Sequence, residues 1–425
     1  MNEAKKYLAS LLENNNGESL MSFIRNFFAK HLNLEILALG AGLNAYLGII
    51  GLVPFTIGVL VEGYGFDLKT AGLYASIEIV VMSIAAMAVA PVMNKIRNSR
   101  LAITGGLIIA LGNVIVAMYA TSTLVVLGLM IAGVGYGFVA AAVNASVASS
   151  DEPEKVYASG ILVYAIAGSV LFAVLPMLYL DSFPVYFWAQ AVISVAAILL
   201  YARLDDSKPS QQKTDDVSAS VKKSALLSPR AIALFLATFL VWTGMGLIWA
   251  VTERMGVSIG MSSQEAAYAL VLSNVIGMVG GLLVKFFGER YGRAKPLFIG
   301  ALVMGLSFIG ISNADLVSVF TFALIVYGIA YFFLLPYIMG AAVALDSEGK
   351  VAAFNGAMPS VSAAISPALG AYLAATYSFS FAGNTAFVFA VVGGLLTLPC
   401  ALYLDSRHKK AKLEALDNEQ AALNT

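Results

Sequence analysis

Twelve apolar stretches, each long enough to cross a bilayer, follow one another between Glu35 and Asp405, and the basic residues fall on alternate connections between them. A hydrocarbon core of about 30 Å needs roughly 20 helical residues. Lipid leaves runs of this length no way other than a helix to satisfy their backbone groups. The spans read as 36–61, 70–93, 101–121, 123–149, 156–180, 183–202, 231–252, 266–284, 296–313, 316–345, 351–376 and 384–404. Of the 25 Lys and Arg residues, 23 lie before the first span, on every second connection, or after the last span. Among them are Lys95, Arg97 and Arg100 after the second span, Lys155 after the fourth, and Arg407, Lys409, Lys410 and Lys412 at the end. Only Lys69 and Arg254 fall on the other connections. Basic connections stay on the cytoplasmic side, so both chain ends are expected inside the cell and the protein in the inner (cell) membrane.

Composition agrees with lipid as the solvent. The chain is 60% hydrophobic, 12% charged and formally neutral, so neither nucleic acid nor a strongly acidic partner is expected. Cys400 is the one cysteine, which rules out a disulfide framework. The two histidines, His31 and His408, sit at span ends with no ligand cluster around them, so no metal and no cofactor is expected. The first residues carry Glu3, Lys5, Lys6 and Glu13 and lack the apolar core of a cleavable signal. From Leu20 to Leu34, Leu20, Phe23, Ile24, Phe27, Phe28 and Leu32 recur at helical spacing opposite Arg25, Asn26, Lys30 and Asn33. That pattern predicts an amphipathic helix lying on the inner leaflet; the alternative is an extension of the first span.

The polar stretch from Asp205 to Ser228 divides the chain. It implies an N-terminal segment (1–34), an N-terminal six-helix bundle (35–203), a cytoplasmic linker (204–230), a C-terminal six-helix bundle (231–405) and a cytoplasmic tail (406–425). The two halves repeat at a shift of 195 residues, with Asp151, Lys155, Val156 and Ala158 recurring as Asp346, Lys350, Val351 and Ala353, and Tyr136 as Tyr331. The same register places Asn94, Lys95, Asn98 and Arg100 opposite Glu289, Arg290, Arg293 and Lys295. Two six-span halves in parallel orientation imply a pseudo-twofold axis along the membrane normal.

In these features the chain resembles the major facilitator superfamily over residues 35–405. Gly288-Glu289-Arg290-Tyr291-Gly292-Arg293-Ala294-Lys295 is similar to the acidic–Arg–x–Gly–Arg–x–Lys core of that family's signature between spans two and three of a half. The first copy, Asn94 to Arg100, lacks the acid and the glycine. The resemblance implies an all-α integral membrane fold, with twelve transmembrane helices in two pseudo-symmetric six-helix halves, working as a secondary transporter. It also implies a cytoplasmic gate at Glu289, Arg290 and Arg293. Ser366-Pro367-Ala368-Leu369-Gly370 is faintly similar to the family's Gly-Pro-rich antiporter motif. That motif belongs in span five, where Gly160 and Gly168 have no accompanying proline.

Within the spans as drawn, Glu78 is the one charged residue. It falls near the midplane, where a charge costs roughly 2.5–3.5 kcal/mol on insertion scales. With no base inside the spans to offset it, burial disfavours its charged form, so Glu78 is expected to bind and release protons. The alternatives are a polar contact to solute in a water-filled vestibule, and a purely structural role. Asn44, Tyr46, Tyr136, Tyr164, Trp242, Asn274, Tyr327 and Tyr331 lie at similar depth. Flat apolar walls with a few hydrogen-bonding groups make a small-molecule site, although tyrosine also packs helices and asparagine also bridges them. Prolines and glycines in spans ten and eleven (Pro336, Gly340, Gly356, Pro359, Pro367, Gly370) suit helices that bend.

A secondary transporter, monomeric in the bilayer, therefore fits best: it moves a small organic solute by alternating access, coupled to protons. The absence of basic residues in the drawn spans favours a neutral, weakly polar or amphipathic solute over a strong anion. Uptake by symport and efflux by antiport use the same fold and the same acid. An enzyme would need a nucleophile–base pair or metal ligands at membrane depth, which the spans lack. A transporter-like receptor would need an added soluble domain, for which the linker is too short.

Overall fold

The computed structural model of the protein describes residues 33–150, 153–178, 183–204, 226–288, 290–345 and 350–423. The predicted interfacial helix up to residue 32, most of the linker, and Glu289 lie outside the described residues. Among the described residues there are twelve long helices and no strand. They are α1 (Leu34–Glu62), α2 (Leu68–Val89), α3 (Asn98–Met118), α4 (Ser122–Ala148), α5 (Pro153–Leu178) and α6 (Pro184–Tyr201), then α7 (Pro229–Ser258), α8 (Ser263–Phe287), α9 (Ala294–Ser312), α10 (Val317–Leu345), α11 (Lys350–Thr376) and α12 (Phe379–Leu423). Eleven are long and apolar enough to span a membrane, and α5, of 26 residues, is the twelfth.

Local chemistry sets several starts. Asn33 accepts from Ile36 N at 2.8 Å ahead of α1, and Asp67 accepts from Thr70 N at 3.0 Å ahead of α2. Ser262 and Glu265 form a reciprocal capping box on α8. Helix α8 is interrupted at Met278, and prolines lie inside α1 (Pro54), α10 (Pro336), α11 (Pro359 and Pro367) and α12 (Pro399).

In the N-terminal half α4 packs on α2 and α3, α3 on α6, and α1 on α5. The α3–α4 seam is a glycine seam. A Cβ on Gly105 would meet Gly135 O at 2.7 Å, and one on Gly112 would meet Gly128 O at 2.5 Å. Without side chains the backbones come into van der Waals contact, which is how helices associate in lipid. In the C-terminal half α7 packs on α11 and α12, and α9 on α10 and α12.

The two halves meet along α2–α11, α1–α7 and α5–α8. The face carrying Arg97, Arg230, Arg293 and Arg407 is the basic face, and the opposite one is the far face. Several specific bonds between the halves lie from mid-depth toward the far face. Gly72 of α2 sits against Ala371 and the Pro367 carbonyl of α11, and Lys69 stacks on the Tyr372 ring at 4.6 Å. Pro367 disturbs the α11 hydrogen-bond ladder, and the next amide, Ala368 N, donates to Ser76 Oγ at 2.8 Å. Trp249 Nε1 donates to Gly51 O at 3.1 Å. Toward the basic face, Gly340 and Gly356 have open space where a side chain would stand. The Ala368–Ser76, Trp249–Gly51 and Lys69–Tyr372 contacts hold the halves together at the far face.

One sequence expectation is corrected. Span seven was drawn to end at residue 252, but α7 continues to Ser258 and carries Glu253 and Arg254 into the protein. Glu253 is 0% exposed. Glu78 is thus not alone as a buried carboxylate; the two differ in that Glu253 has a base beside it.

Candidate solute and proton site

Glu78 lies mid-helix on α2, about 15 Å from the far-face end at 1.5 Å per residue, and is 3% exposed. Its backbone carbonyl abuts Gly133 of α4. Tyr136 of α4 and Tyr186 of α6 are electrostatic neighbours of its carboxylate. Among the described residues it makes no ion pair. Around it the N-terminal half buries a set of uncharged polar groups. Tyr136 Oη donates to Gln190 Oε1 at 3.2 Å and faces Asn113 of α3. Tyr186 Oη and Thr56 Oγ1 share a 2.9 Å hydrogen bond. Pairing of this kind offsets the cost of burying polar groups in an apolar bundle.

Tyr136 also lines a cavity of about 60 Å³ within the same half, bounded by α1, α4, α5 and α6, with Asn44, Leu52, Gln190, Ser194 and Tyr201 on its walls. That is room for a few water molecules or one arm of a solute. Asn44 gives its Nδ2 to Gly40 O at 3.0 Å and to Tyr164 O at 3.4 Å. Its Oδ1 is buried with no partner. A buried acceptor left unpaired costs about 1–3 kcal/mol, so this oxygen favours a hydrogen-bond donor brought by water or solute.

The remaining predicted residues fall in two places. Tyr164 of α5 and Tyr331 of α10 are electrostatic neighbours across the two halves, and Tyr46 Oη bonds Asn144 Oδ1 at 3.4 Å near Tyr157. Tyr327 stacks on Trp249, with centroids 6.1 Å apart at 24°. Trp242 is buried on α7 two turns below Trp249, and Asn274 turns its amide back onto Leu270 O of its own helix. Of the eight predicted residues only Asn44 and Tyr136 line the cavity; Tyr46, Tyr164, Trp242, Asn274, Tyr327 and Tyr331 do not. The tryptophan joining the halves is Trp249, which also meets Phe172 of α5 at 6.3 Å.

At the basic face Arg290 is exposed. The backbone amides of Arg293 and Ala294 donate to Asp405 Oδ1 and Oδ2 at 2.7 and 3.1 Å. The acid that grips this loop is therefore Asp405 from α12, placed where the free N–H groups and positive dipole of α9 favour an anion. Gly292 has φ +72°, and a Cβ there would stand 2.5 Å from Asp405 Oδ2.

Sequence reading did not single out Gln190, Asn113, Thr56, Tyr186, Trp249, Glu253 or Asp405. Gln190 carried a usable signal, an amide in an otherwise apolar span.

Twelve membrane-length helices in two abutting halves, with a polar site inside them, define an integral membrane transporter. The sequence profile of the Major Facilitator Superfamily matches residues 37–347 and 234–424, and the chain belongs to that family. It carries a solute across a membrane and is not an enzyme. Over 184 residues the chain is 24% identical to Multidrug resistance protein 2 of Bacillus subtilis (strain 168), covering 42% of this chain and 46% of that protein. The chain thus spans less than half the length of this relative. The nucleoside transporter NupG superposes with a TM-score of 0.69 at 15% identity, over 88% of this chain and 99% of that one. A bacterial homolog of the human lysosomal transporter Spinster, in an inward-facing and unoccupied conformation, gives 0.67 at 12% identity over 87% and 95%. A D-xylose–proton symporter gives 0.63 at 14% identity over 87% and 96%. At such identities the likeness is one of fold.

Proposed function

We propose that the protein is a proton-coupled secondary transporter of a small, neutral or amphipathic organic solute, with Glu78 as its proton-binding group. One observation carries this reading: Tyr136 is shared between the cavity wall and the surroundings of Glu78. Charging Glu78 polarises Tyr136, and Tyr136 holds Gln190, so proton occupancy at midplane alters the hydrogen bonds that a solute meets. Asn44, Tyr136 and Gln190 contact the solute from the N-terminal half, while Tyr164, Tyr327 and Tyr331 face it with Tyr46 nearby. The basic face is read as cytoplasmic from its Lys and Arg content, with both chain ends inside the cell and the closed far face outside. The monomer is the transporting unit, and Arg290, Arg293 and Glu289 belong to the gate on the cytoplasmic side.

A thermal-shift screen of the purified protein against metabolites and drugs identifies the solute, and reconstituted vesicles with an imposed pH gradient then test coupling. Accumulation driven by the gradient in wild type, lost in a folded Glu78→Gln variant that still exchanges solute, supports the reading. Undiminished coupling in that variant rejects it. Efflux by antiport is the second reading, favoured by the partial match to a protein named for multidrug resistance. The sign of the gradient that drives accumulation separates the two.

A further inference from the structure

At the far face, outside the site just described, three charges are shared between the halves. Arg254 of α7 is 10% exposed and reaches Glu62 at the end of α1, 2.8 Å away. The same guanidinium takes the neighbouring Glu253 carboxylate in a two-point grip. Glu253 is fully buried, with its carboxylate lying on the bare backbone of Gly58, where a Cβ would come within 2.7 Å of Oε2. Ser263 completes the group, within 3.4 Å of both Glu62 and Arg254.

These contacts are unequal under alternating access. Glu253 and Arg254 are adjacent on one helix and move together. Glu62 and Gly58 belong to the other half and must leave when the far face opens. Separating a single buried ion pair strands an uncompensated charge, which is strongly unfavourable. Here Arg254 keeps one carboxylate in either state. We propose that Glu62–Arg254 is the latch of the far face and that Glu253 is its resident counterion, a positioning residue that keeps the latch reversible. The geometry assigns opposite roles to the two acids. Glu62 favours the closed far face, whereas Glu253 lowers the cost of opening it.

The test reads far-face opening directly. Ser76, buried at the α2–α11 seam, is replaced by cysteine, and its alkylation by a membrane-impermeant thiol reagent is timed with Cys400→Ser as background. Glu62→Gln raises the rate by about tenfold, the loss expected for one charged hydrogen bond. Glu253→Gln, which keeps the shape but leaves Arg254 dependent on Glu62, lowers it several-fold. Gly58→Ala raises it by pushing the carboxylate off its seat. Gly48→Ala on the same helix, with nothing within 4 Å, leaves it unchanged. A melting curve for each variant shows that it is folded. Equal rates in Glu62→Gln and Glu253→Gln, or shifts in the same direction, overturn the proposal. It does not depend on Glu78, so pH-gradient coupling and latch behaviour fail separately.

Discussion

The N-terminal half buries its carboxylate, Glu78, at mid-depth among uncharged polar groups, whereas the C-terminal half carries its charged groups toward the ends. Glu78, Tyr136, Gln190, Asn113, Thr56 and Tyr186 lie inside the first bundle. In the second, the buried or half-buried charged groups sit near its two faces, Glu253 with Arg254 at one and Asp405 on the α9 amides at the other. Its midplane carries aromatics, with Tyr327 stacked on Trp249 and Phe308 at 5.9 Å from Tyr327. The second half also holds the interrupted α8 and the prolines of α10 and α11. Once repeats diverge, one half of such a carrier can keep the ionisable site while the other specialises in bending, stacking and locking.

This contrast is open to attack by substitution. The largest effect belongs to Glu78→Gln, which removes the titrating group and abolishes pH-gradient-driven accumulation. The same change at Glu253 slows turnover but leaves the coupling intact, and proteoliposome flux distinguishes the two. Next comes Gly292→Ala. It forces a side chain into the left-handed region, costing about 1–2 kcal/mol, and drives a methyl group against Asp405. A fall of several degrees in the melting temperature is expected, with coupling unchanged.

Tyr136→Phe leaves Gln190 without its donor inside the bundle, a loss of about 1–3 kcal/mol. It should weaken solute binding and flatten the pH dependence of flux together, since both pass through that hydroxyl. Trp249→Phe removes one bond between halves, about 0.5–1.5 kcal/mol, and raises far-face cysteine reactivity, whereas Trp242→Phe does not.

The smallest effect is at Asp67, on the far-face connection, where the Thr70 side chain and amide hold the carboxyl below its usual range. A depressed folded value means the cap contributes above the unfolded carboxyl value of about 4 and is lost as pH falls through the folded one. Asp67→Ala should therefore lower the melting temperature slightly at neutral pH and make no difference in strong acid. That difference melt checks it.

What could be seen in the bare sequence follows from dimensionality. Span positions and Glu78 stand out because membrane insertion is a one-dimensional energy problem, and a carboxylate amid apolar residues is conspicuous there. That Tyr136 holds Gln190 could not be found that way, since the two are 54 residues apart and meet only through helix packing. Asp405 is 112 residues from the loop it caps. Glu253 was missed because its own charge marked the end of a span. A buried ion pair reads, in sequence, like a surface one. Trp242 and Trp249 lie two turns apart on nearly the same face of α7, so their periodicity is the same and only depth separates them.

The most direct measurement is an infrared pH titration of the reconstituted protein in the carboxylic-acid C=O region. The account predicts a buried-acid band that converts to carboxylate as pH rises, is missing from Glu78→Gln, and shifts in frequency in Tyr136→Phe. A spectrum in which Glu78→Gln retains that band, titrating as in wild type, would contradict it.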